Sequence, residues 1–131
     1  MKPEVYTQKL VVPTSAIDER NHVNNLTYLQ WCLGIAESHW KEKASPRLLQ
    51  EYIWYVVRHE IDYKSQAFEG EELLLKTWVT SAQGVRSERC YTISRTKDSQ
   101  LLVEAKTLWC LLDAKTGKPT KITEEIRNLF L

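Results

Sequence analysis

Glycine and proline are scarce in this sequence, with four of each among 131 residues, which argues against a disordered or low-complexity chain. The three cysteines, Cys32, Cys90 and Cys110, are odd in number and are not spaced like metal ligands, so we expect reduced thiols in the cytoplasm. The sequence also has no large excess of positive or negative charge, since 18 basic and 17 acidic residues give a net charge of +1. A chain without a charged field or a long apolar run is not expected to bind nucleic acid, enter a membrane or carry a secretory signal.

Apolar and aromatic residues, by contrast, are plentiful enough to form a core. They make up 43% of the chain and include five tryptophans and six tyrosines. Length and composition together predict one domain over residues 1–131. Residues 4–12 are typical of a strand. From Asn24 the apolar residues recur at helical spacing as far as Trp40, and Pro46 is expected to stop that helix.

The second half of the sequence alternates with a period of two. Tight turns join consecutive segments, which implies antiparallel neighbours, and a terminal helix is expected after Thr123. In the first segment the odd positions, from Ile53 to Tyr63, are expected to form the buried face. The fold class predicted is α+β: one long antiparallel sheet of five strands curls around a central apolar helix, and a short helix ends the chain. The later strands are predicted at 52–63, 73–81, 85–97 and 101–112.

The stretch SAIDERNHVNNLTYLQW, residues 15–31, concentrates groups that titrate or form directed hydrogen bonds just before the long helix. The free backbone N–H groups of that helix, near Asn24 and Asn25, point back at this loop and suit a developing oxyanion. Asp18 lies a few residues upstream, and a carboxylate beside such a helix end is sufficient for hydrolysing an activated acyl bond. The alternative is that Asp18 is an ordinary helix cap, because Asp and Asn are favoured at that position.

The same stretch resembles a known family. The pattern D-x-x-x-H-V-N-N-x-x-Y, from Asp18 to Tyr28, resembles the signature of hotdog-fold thioesterases, in particular the 4-hydroxybenzoyl-CoA thioesterase family and the related acyl-ACP thioesterases. HEIDYKSQAFEGEELLLKTWV, GVRSERCYTI and TGKPTKI resemble later strands and the tail of that family, so the likeness covers nearly the whole chain. The resemblance implies a hotdog domain that hydrolyses acyl-CoA or acyl-ACP to a carboxylic acid and a free thiol. It implies no metal or redox cofactor.

Carried over by position, the resemblance makes Asp18 the catalytic carboxylate, as general base on water or as nucleophile toward the thioester carbonyl. It implies that the backbone N–H of Asn25 holds the carbonyl oxygen, that His22 supports the carboxylate or the substrate, and that Asn24 belongs to the turn. A catalytically inert hotdog module that binds acyl thioesters or partner proteins is the alternative. A hotdog dehydratase or hydratase is disfavoured, because its helix-borne His/Asp arrangement is not evident.

Further candidates for substrate binding lie on the long helix and on a later strand. Tyr28 and its helix neighbours fit the lining of an acyl tunnel, although core packing explains them equally well. Arg86 and Arg89, with Ser87 between them, fit contacts to the phosphates of a CoA or phosphopantetheine arm. The alternative for this cluster is a solvated basic edge that discourages aggregation. Cys32 falls within the apolar helix stripe, so we expect a buried thiol rather than a nucleophile.

The predicted sheet has open edges, and one helix cannot cover all of its apolar faces. Trp54, Trp78 and Trp109 in particular need burial that one copy of the chain is not expected to supply. The resemblance points the same way, since members of the family pair their sheets edge to edge and place each acyl pocket at the interface between subunits. A homodimer or homotetramer is therefore expected.

Overall fold

The computed structural model describes residues 3–131, and in that range the chain forms five strands and three α-helices. The predicted order of strand, long helix, four strands and terminal helix is confirmed, and the strand and helix limits agree to within about two residues. The elements are β1 (Tyr6–Val11), α1 (Asn25–Lys43), α2 (Pro46–Glu51), β2 (Tyr52–Tyr63), β3 (Glu72–Gln83), β4 (Arg86–Arg95), β5 (Leu101–Asp113) and α3 (Glu124–Phe130).

The five strands form one antiparallel sheet in the order β1-β3-β4-β5-β2, which confirms the predicted α+β architecture. The β3–β4 hairpin turns at Gly84, whose φ of +60° lies in the left-handed region that favours glycine. Because β1 and β2 stand at the two ends of this order, their outer edges are not paired by the described part of the chain.

Helix α1 lies across the inner face of the sheet and packs mainly against β3 and β1. Its buried residues recur at helical spacing and form a single stripe. Leu26, on another side of the helix, is 67% exposed, so α1 is not covered on all sides within one chain. The part of the inner face formed by β5 and β2 is correspondingly less covered by the helix. The buried stripe consists of Tyr28, Cys32, Ile35, Ala36 and His39.

α1 ends at Lys43, before Pro46, as expected, but one helix was not predicted and one expectation about a strand face is wrong. Pro46 begins the unpredicted helix α2, because proline is tolerated at the first helical position and Ser45 caps the helix with its hydroxyl. In β2, a bulge at Val57 shifts the pairing with β5, so the side chains do not keep one face along the whole strand. Ile53 and Tyr55 are consequently exposed, by 49% and 61%, instead of buried.

No helix in residues 3–131 combines the length and hydropathy needed to cross a membrane.

Candidate active site

Asp18 lies in a tight turn that leads into α1. An isolated bridge pairs Ile17 with Val23, and the N–H of Asp18 donates a 2.9 Å hydrogen bond to the carbonyl of His22. The turn closes at Asn21, which has a φ of +65° and donates its N–H to the carbonyl of Asp18 at 3.0 Å. Asparagine tolerates this left-handed conformation better than most residues. The backbone at Asp18 is therefore fixed from both sides.

The carboxylate of Asp18 is held by the same turn. Its Oδ1 accepts hydrogen bonds from the backbone N–H groups of Arg20, at 2.9 Å, and His22, at 3.3 Å. Its Oδ2 has no hydrogen-bond donor and no cationic partner within residues 3–131. The half-buried side chain thus keeps one carboxylate oxygen available for a reactant.

The first turn of α1 has one backbone donor to spare. Asn24 is the N-cap: its side-chain oxygen accepts from the N–H of Leu26 at 2.9 Å, and its carbonyl accepts from the N–H of Thr27 at 2.9 Å. Asn24 also donates its own N–H to the carbonyl of Ala16, which ties the start of the helix to the residues just before the Asp18 turn. Among the described residues, the N–H of Asn25 has no acceptor. The interpretation of Asp18 as the helix cap is therefore wrong, because Asn24 fills that position.

His22 supports the Asp18 carboxylate through its backbone rather than its imidazole. The ring packs edge to face against Phe68, with 5.7 Å between centroids, and it has no side-chain hydrogen bond within residues 3–131. His22 is half-buried, so its ring lies at the border between the turn and solvent.

Tyr28 is a core residue in this chain. It is 1% exposed, and its hydroxyl accepts a 2.9 Å hydrogen bond from the backbone N–H of Ala67, in the loop between β2 and β3. Burial raises the pKa of this hydroxyl. The same loop accepts a hydrogen bond from Val23, so Tyr28 and Val23 together dock the loop against the start of α1. Of the two interpretations of Tyr28, tunnel lining and core packing, core packing is the one that fits its position in the single chain.

The three candidates on β4 do not share a face. Arg86 is exposed, whereas Ser87 and Arg89 point to the inner face and are each 6% exposed. Residues an odd number apart on a strand point to opposite faces, which separates the two guanidinium groups. The structure does not bring Arg86 and Arg89 together as a phosphate clasp, and Arg89 is not on a solvated edge. The hydroxyl of Ser87 donates to the carbonyl of Ser81 at 2.9 Å.

Sequence reasoning missed a buried pair between α1 and β4. Nη1 of Arg89 donates to Nδ1 of His39 at 2.9 Å and to the hydroxyl of Thr77 at 3.1 Å, and the guanidinium lies 5.3 Å from the ring centroid of Phe130. His39 is 0% exposed and stacks on Tyr6 at 4.8 Å. The only signal in the sequence was residue spacing: the alternation of β4 puts Arg89 on the inward face, and the helical spacing of α1 puts His39 in its apolar stripe.

Burial and the nearby guanidinium set the charge of this pair. Burial, followed by the charge of Arg89, lowers the pKa of His39 from 6.5 to about 4. Burial also lowers the pKa of Arg89 to about 10, so the guanidinium stays protonated at neutral pH. The carboxylate of Glu4 lies 3.6 Å from Nε2 of His39 but is paired with Lys43 at 2.8 Å. Near neutral pH the pair is a neutral imidazole that accepts from a cationic guanidinium.

Arg89 lines a cavity of about 610 Å³, the larger of the two described in residues 3–131. This cavity lies between the carboxyl-terminal half of α1 and the strands β2, β4 and β5, so it is at the opposite end of the helix from Asp18. Its walls are largely apolar. Leu33, Trp40, Trp54, Trp109 and Phe130 supply much of the lining.

Cys32 is buried, as predicted from its place in the apolar stripe of α1. All three are free of disulfides, Cys32 and Cys110 are buried, and Cys90 is half-buried. Burial raises the pKa of Cys32 to about 12, so this thiol is not a nucleophile at neutral pH. In the described range, no three His, Cys, Asp or Glu side chains are grouped to hold a metal ion.

Comparison with protein families gives a match over almost the whole chain. The model of the acyl-ACP thioesterase N-terminal domain matches residues 3–130. Acyl-[acyl-carrier-protein] hydrolase FATB3, chloroplastic, from Cuphea viscosissima is 23% identical over 116 residues, 88% of this chain and 28% of that protein. The chloroplastic palmitoyl-acyl carrier protein thioesterase of Gossypium hirsutum is 25% identical over 65% of this chain and 21% of its own length. The chain thus spans 19 to 28% of the curated relatives it matches.

Solved structures share the fold at low sequence identity. Slr0204, a 1,4-dihydroxy-2-naphthoyl-CoA thioesterase from Synechocystis, superposes with a TM-score of 0.84 at 22% identity, over 96% of this chain and 95% of that one. SAV2348 from Staphylococcus aureus, solved in complex with CoA, gives a TM-score of 0.85 at 15% identity, over 98% and 83% of the two chains. These likenesses confirm the predicted hotdog fold.

Proposed function

This chain belongs to the acyl-ACP thioesterase family, and from that membership we propose that it hydrolyses acyl thioesters carried by CoA or by acyl carrier protein. Water adds to the thioester carbonyl, the carbon–sulfur bond breaks, and the products are a carboxylic acid and a free thiol. Relatives named for acyl-ACP hydrolysis and a fold neighbour solved with CoA support this class of substrate without choosing between the carriers. We place the protein in a reducing compartment, the cytoplasm, because its three cysteines are unpaired.

Asp18 is the proposed catalytic residue. It acts on the thioester carbonyl either by removing a proton from water or by direct attack through its free Oδ2. The N–H of Asn25 and the positive end of α1 stabilise the negative charge that develops on the carbonyl oxygen. The single observation that supports this mechanism best is the arrangement of one turn: it fixes a carboxylate with one unbonded oxygen and leads directly into a helix whose first N–H is unpaired.

Other residues have supporting roles in this proposal. His22 positions the carboxylate through its N–H, and Asn24 caps α1, which leaves the Asn25 donor to the substrate. Tyr28 fixes the neighbouring loop from within the core. Arg86, exposed on the outer face of β4, remains a candidate for the phosphates of the carrier arm, whereas Ser87 and Arg89 belong to the cavity.

We further propose that the active form is a dimer paired along β2, with tetramers as a higher form. β2 is an edge strand, and its exposed apolar residues Ile53, Tyr55, Val57 and Tyr63 are between 42% and 61% accessible. The cavity opens beside this strand, since Tyr52, Ile53 and Trp54 line it. A second copy that adds its own β2 would satisfy the open backbone groups and cover these side chains. Light scattering that finds a monomer at micromolar concentration would contradict the pairing.

The test of catalysis compares wild type with Asp18→Asn and a matched control, Glu19→Gln, in thiol-release assays with a panel of acyl-CoA and acyl-ACP substrates. The amide oxygen of asparagine can still accept the hydrogen bonds from Arg20 and His22, so the turn is kept while the base is lost. Glu19 is the exposed carboxylate next in sequence. We expect Asp18→Asn to lower kcat ~10²- to 10⁴-fold, whereas Glu19→Gln retains wild-type activity.

Equal activity of wild type and Asp18→Asn would remove Asp18 from the mechanism. A wild-type protein that binds acyl-CoA but releases no thiol from any substrate would instead favour the non-catalytic hotdog module.

A further inference from the structure

The cavity contains a buried positive charge that the proposed reaction does not use. Arg89 is 6% exposed and lines the cavity, and no carboxylate within residues 3–131 forms an ion pair with it. Burying an uncompensated guanidinium is costly, and proteins normally pair such a group. The position of Arg89 therefore needs an explanation beyond packing.

Neither neighbouring titratable group neutralises Arg89. His39 bonds to Nη1 through Nδ1 and is neutral, because its pKa is lowered to about 4. Glu4 approaches the other ring nitrogen of His39, so the imidazole stands between this carboxylate and the guanidinium, and Lys43 already balances the Glu4 charge. Thr77 and Phe130 contact the guanidinium but contribute no negative charge.

One side of the guanidinium is unused. Both hydrogen bonds of Arg89 are made by Nη1, while Nε and Nη2 have no acceptor in the described part of the chain. Unlike Nε2 of His39, neither atom is a fully buried group without a partner, so both keep some exposure, and Arg89 is a lining residue of the cavity. The pair Nε and Nη2 forms a planar fork that matches the two oxygens of a carboxylate.

The cavity around this fork is apolar, which restricts the class of ligand. A free inorganic anion gains nothing from walls of tryptophan, leucine and phenylalanine, whereas an apolar chain with a charged end satisfies both the walls and the guanidinium. Ser87, the other buried polar side chain of the lining, is already bonded to Ser81. Glu37 and Lys41 also line the cavity, but both are exposed and pair with each other at 2.8 Å. Arg89 is therefore the buried charged contact that this apolar space offers a ligand.

The cavity lies where the acyl group of the proposed reaction would extend. His39 is ~21 Å along the helix axis from Asn25 at 1.5 Å per residue, so within one chain Arg89 is remote from the Asp18 turn. A two-fold dimer paired antiparallel along β2 reverses the second helix, so the amino end of that helix lies beside the carboxyl half of this one. In this proposed dimer, the cavity of each copy would face the candidate catalytic turn of the other.

We propose that Arg89 binds a carboxylate at the far end of the acyl group, so that the preferred substrates are carboxyacyl thioesters, with an acid group at the end opposite the thioester. This inference rests on the proposed thioesterase function and on the dimer. It assigns to Arg89 a role in specificity and not in bond breaking, because the residue contacts the end of the acyl chain that does not react.

The test uses pairs of substrates that differ only at the far end. Hexanoyl-CoA is compared with adipoyl-CoA, octanoyl-CoA with suberoyl-CoA, and longer pairs follow in the same way. For wild type we expect kcat/KM to favour the carboxylate-ended member by about 10- to 100-fold at the chain length that reaches Arg89, as for hydrogen bonds to a charged group.

Arg89→Met should abolish this preference by slowing the carboxylate-ended substrate and leaving the methyl-ended one within a few-fold. Arg89→Lys keeps the charge without the fork and should give an intermediate preference. Arg47→Met, which removes an exposed guanidinium on α2, is the matched control. If Arg89→Met does not fold, Arg89→Lys and the wild-type substrate pairs still decide the question.

Three outcomes overturn the inference. The first is a wild-type preference for the methyl-ended member at every length. The second is an equal loss on both members in Arg89→Met, which assigns Arg89 to folding or to the carrier phosphates. If wild type cleaves no thioester, the proposed function fails, and calorimetry with free suberate and octanoate then tests the binding subsite by itself. Suberate binding to wild type but not to Arg89→Met supports the subsite. The third overturning outcome is that wild type does not bind suberate.

Discussion

The buried imidazole of His39 makes the stability of this protein depend on pH in a defined direction. Its pKa is lowered from 6.5 to about 4, first by burial and then by the charge of Arg89, while Glu4 acts in the opposite sense. In the unfolded chain the imidazole takes up a proton near pH 6.5, but in the folded chain only near pH 4. The titration of His39 therefore costs no stability well above pH 6.5, and it lowers the free energy of unfolding as the pH falls from there toward 4.

The size of this effect follows from the two pKa values. At pH 7.5 both states are unprotonated at His39, and the contribution of its titration to the free energy of unfolding is close to zero. At pH 5 the unfolded state is almost fully protonated and the folded state is not, which lowers the free energy of unfolding by about 2 kcal/mol. Below pH 4 the loss levels off at about 3 kcal/mol.

The assay is urea unfolding at pH 7.5 and pH 5.0, at one fixed protein concentration because dimer formation affects stability. His39→Gln retains an acceptor for Arg89 but cannot titrate, so it should lose about 2 kcal/mol less than wild type between the two pH values. His59→Gln, which removes an exposed histidine, should behave like wild type. Parallel pH dependence of wild type and His39→Gln would refute a neutral buried imidazole in the native state.

Two further predictions concern the loop beside the site and the edge of the sheet. Tyr28→Phe removes the hydroxyl that accepts from the buried N–H of Ala67 and should lower the free energy of unfolding by about 1–3 kcal/mol, measured by urea unfolding; a change near zero would mean that the N–H finds another partner. Tyr55→Lys places a charge on the exposed face of β2 and should convert the proposed dimer to monomer in light scattering, with loss of thioesterase activity. An unchanged mass would show that the copies do not pair along β2.

The order of strands and helices was predictable because each element carries its own period and its own turn. The faces of β2 were not, since Trp54 and Val56 are as apolar as Ile53 and Tyr55, and alternation cannot decide between two apolar faces. The bulge at Val57, which depends on the pairing with β5, reverses the choice within the strand. Helix α2 was missed because Pro46 was interpreted as a stop, although Ser45 before it is a favoured cap.

In the candidate site, contacts between residues close in sequence could be predicted, whereas contacts between distant residues could not. The Asp18 turn and the Asn24 cap are formed by residues close in sequence, so their arrangement follows from a short motif. Arg89 and His39 are 50 positions apart, and their hydrogen bond depends on how α1 lies on the sheet. The opposite directions of Arg86 and Arg89 are a local property, because residues three apart on a strand point to opposite faces.

Asp18 combines a structural and a chemical role because its two oxygens have different surroundings. Oδ1 accepts from two backbone N–H groups and so fixes the turn, while Oδ2 has no partner within residues 3–131. The rigid turn limits the entropy lost when a reactant approaches. An alanine at this position would remove both roles at once, and its loss of activity would not separate them. Asparagine keeps the acceptor and removes the charge, so only that substitution measures the chemical contribution of the carboxylate.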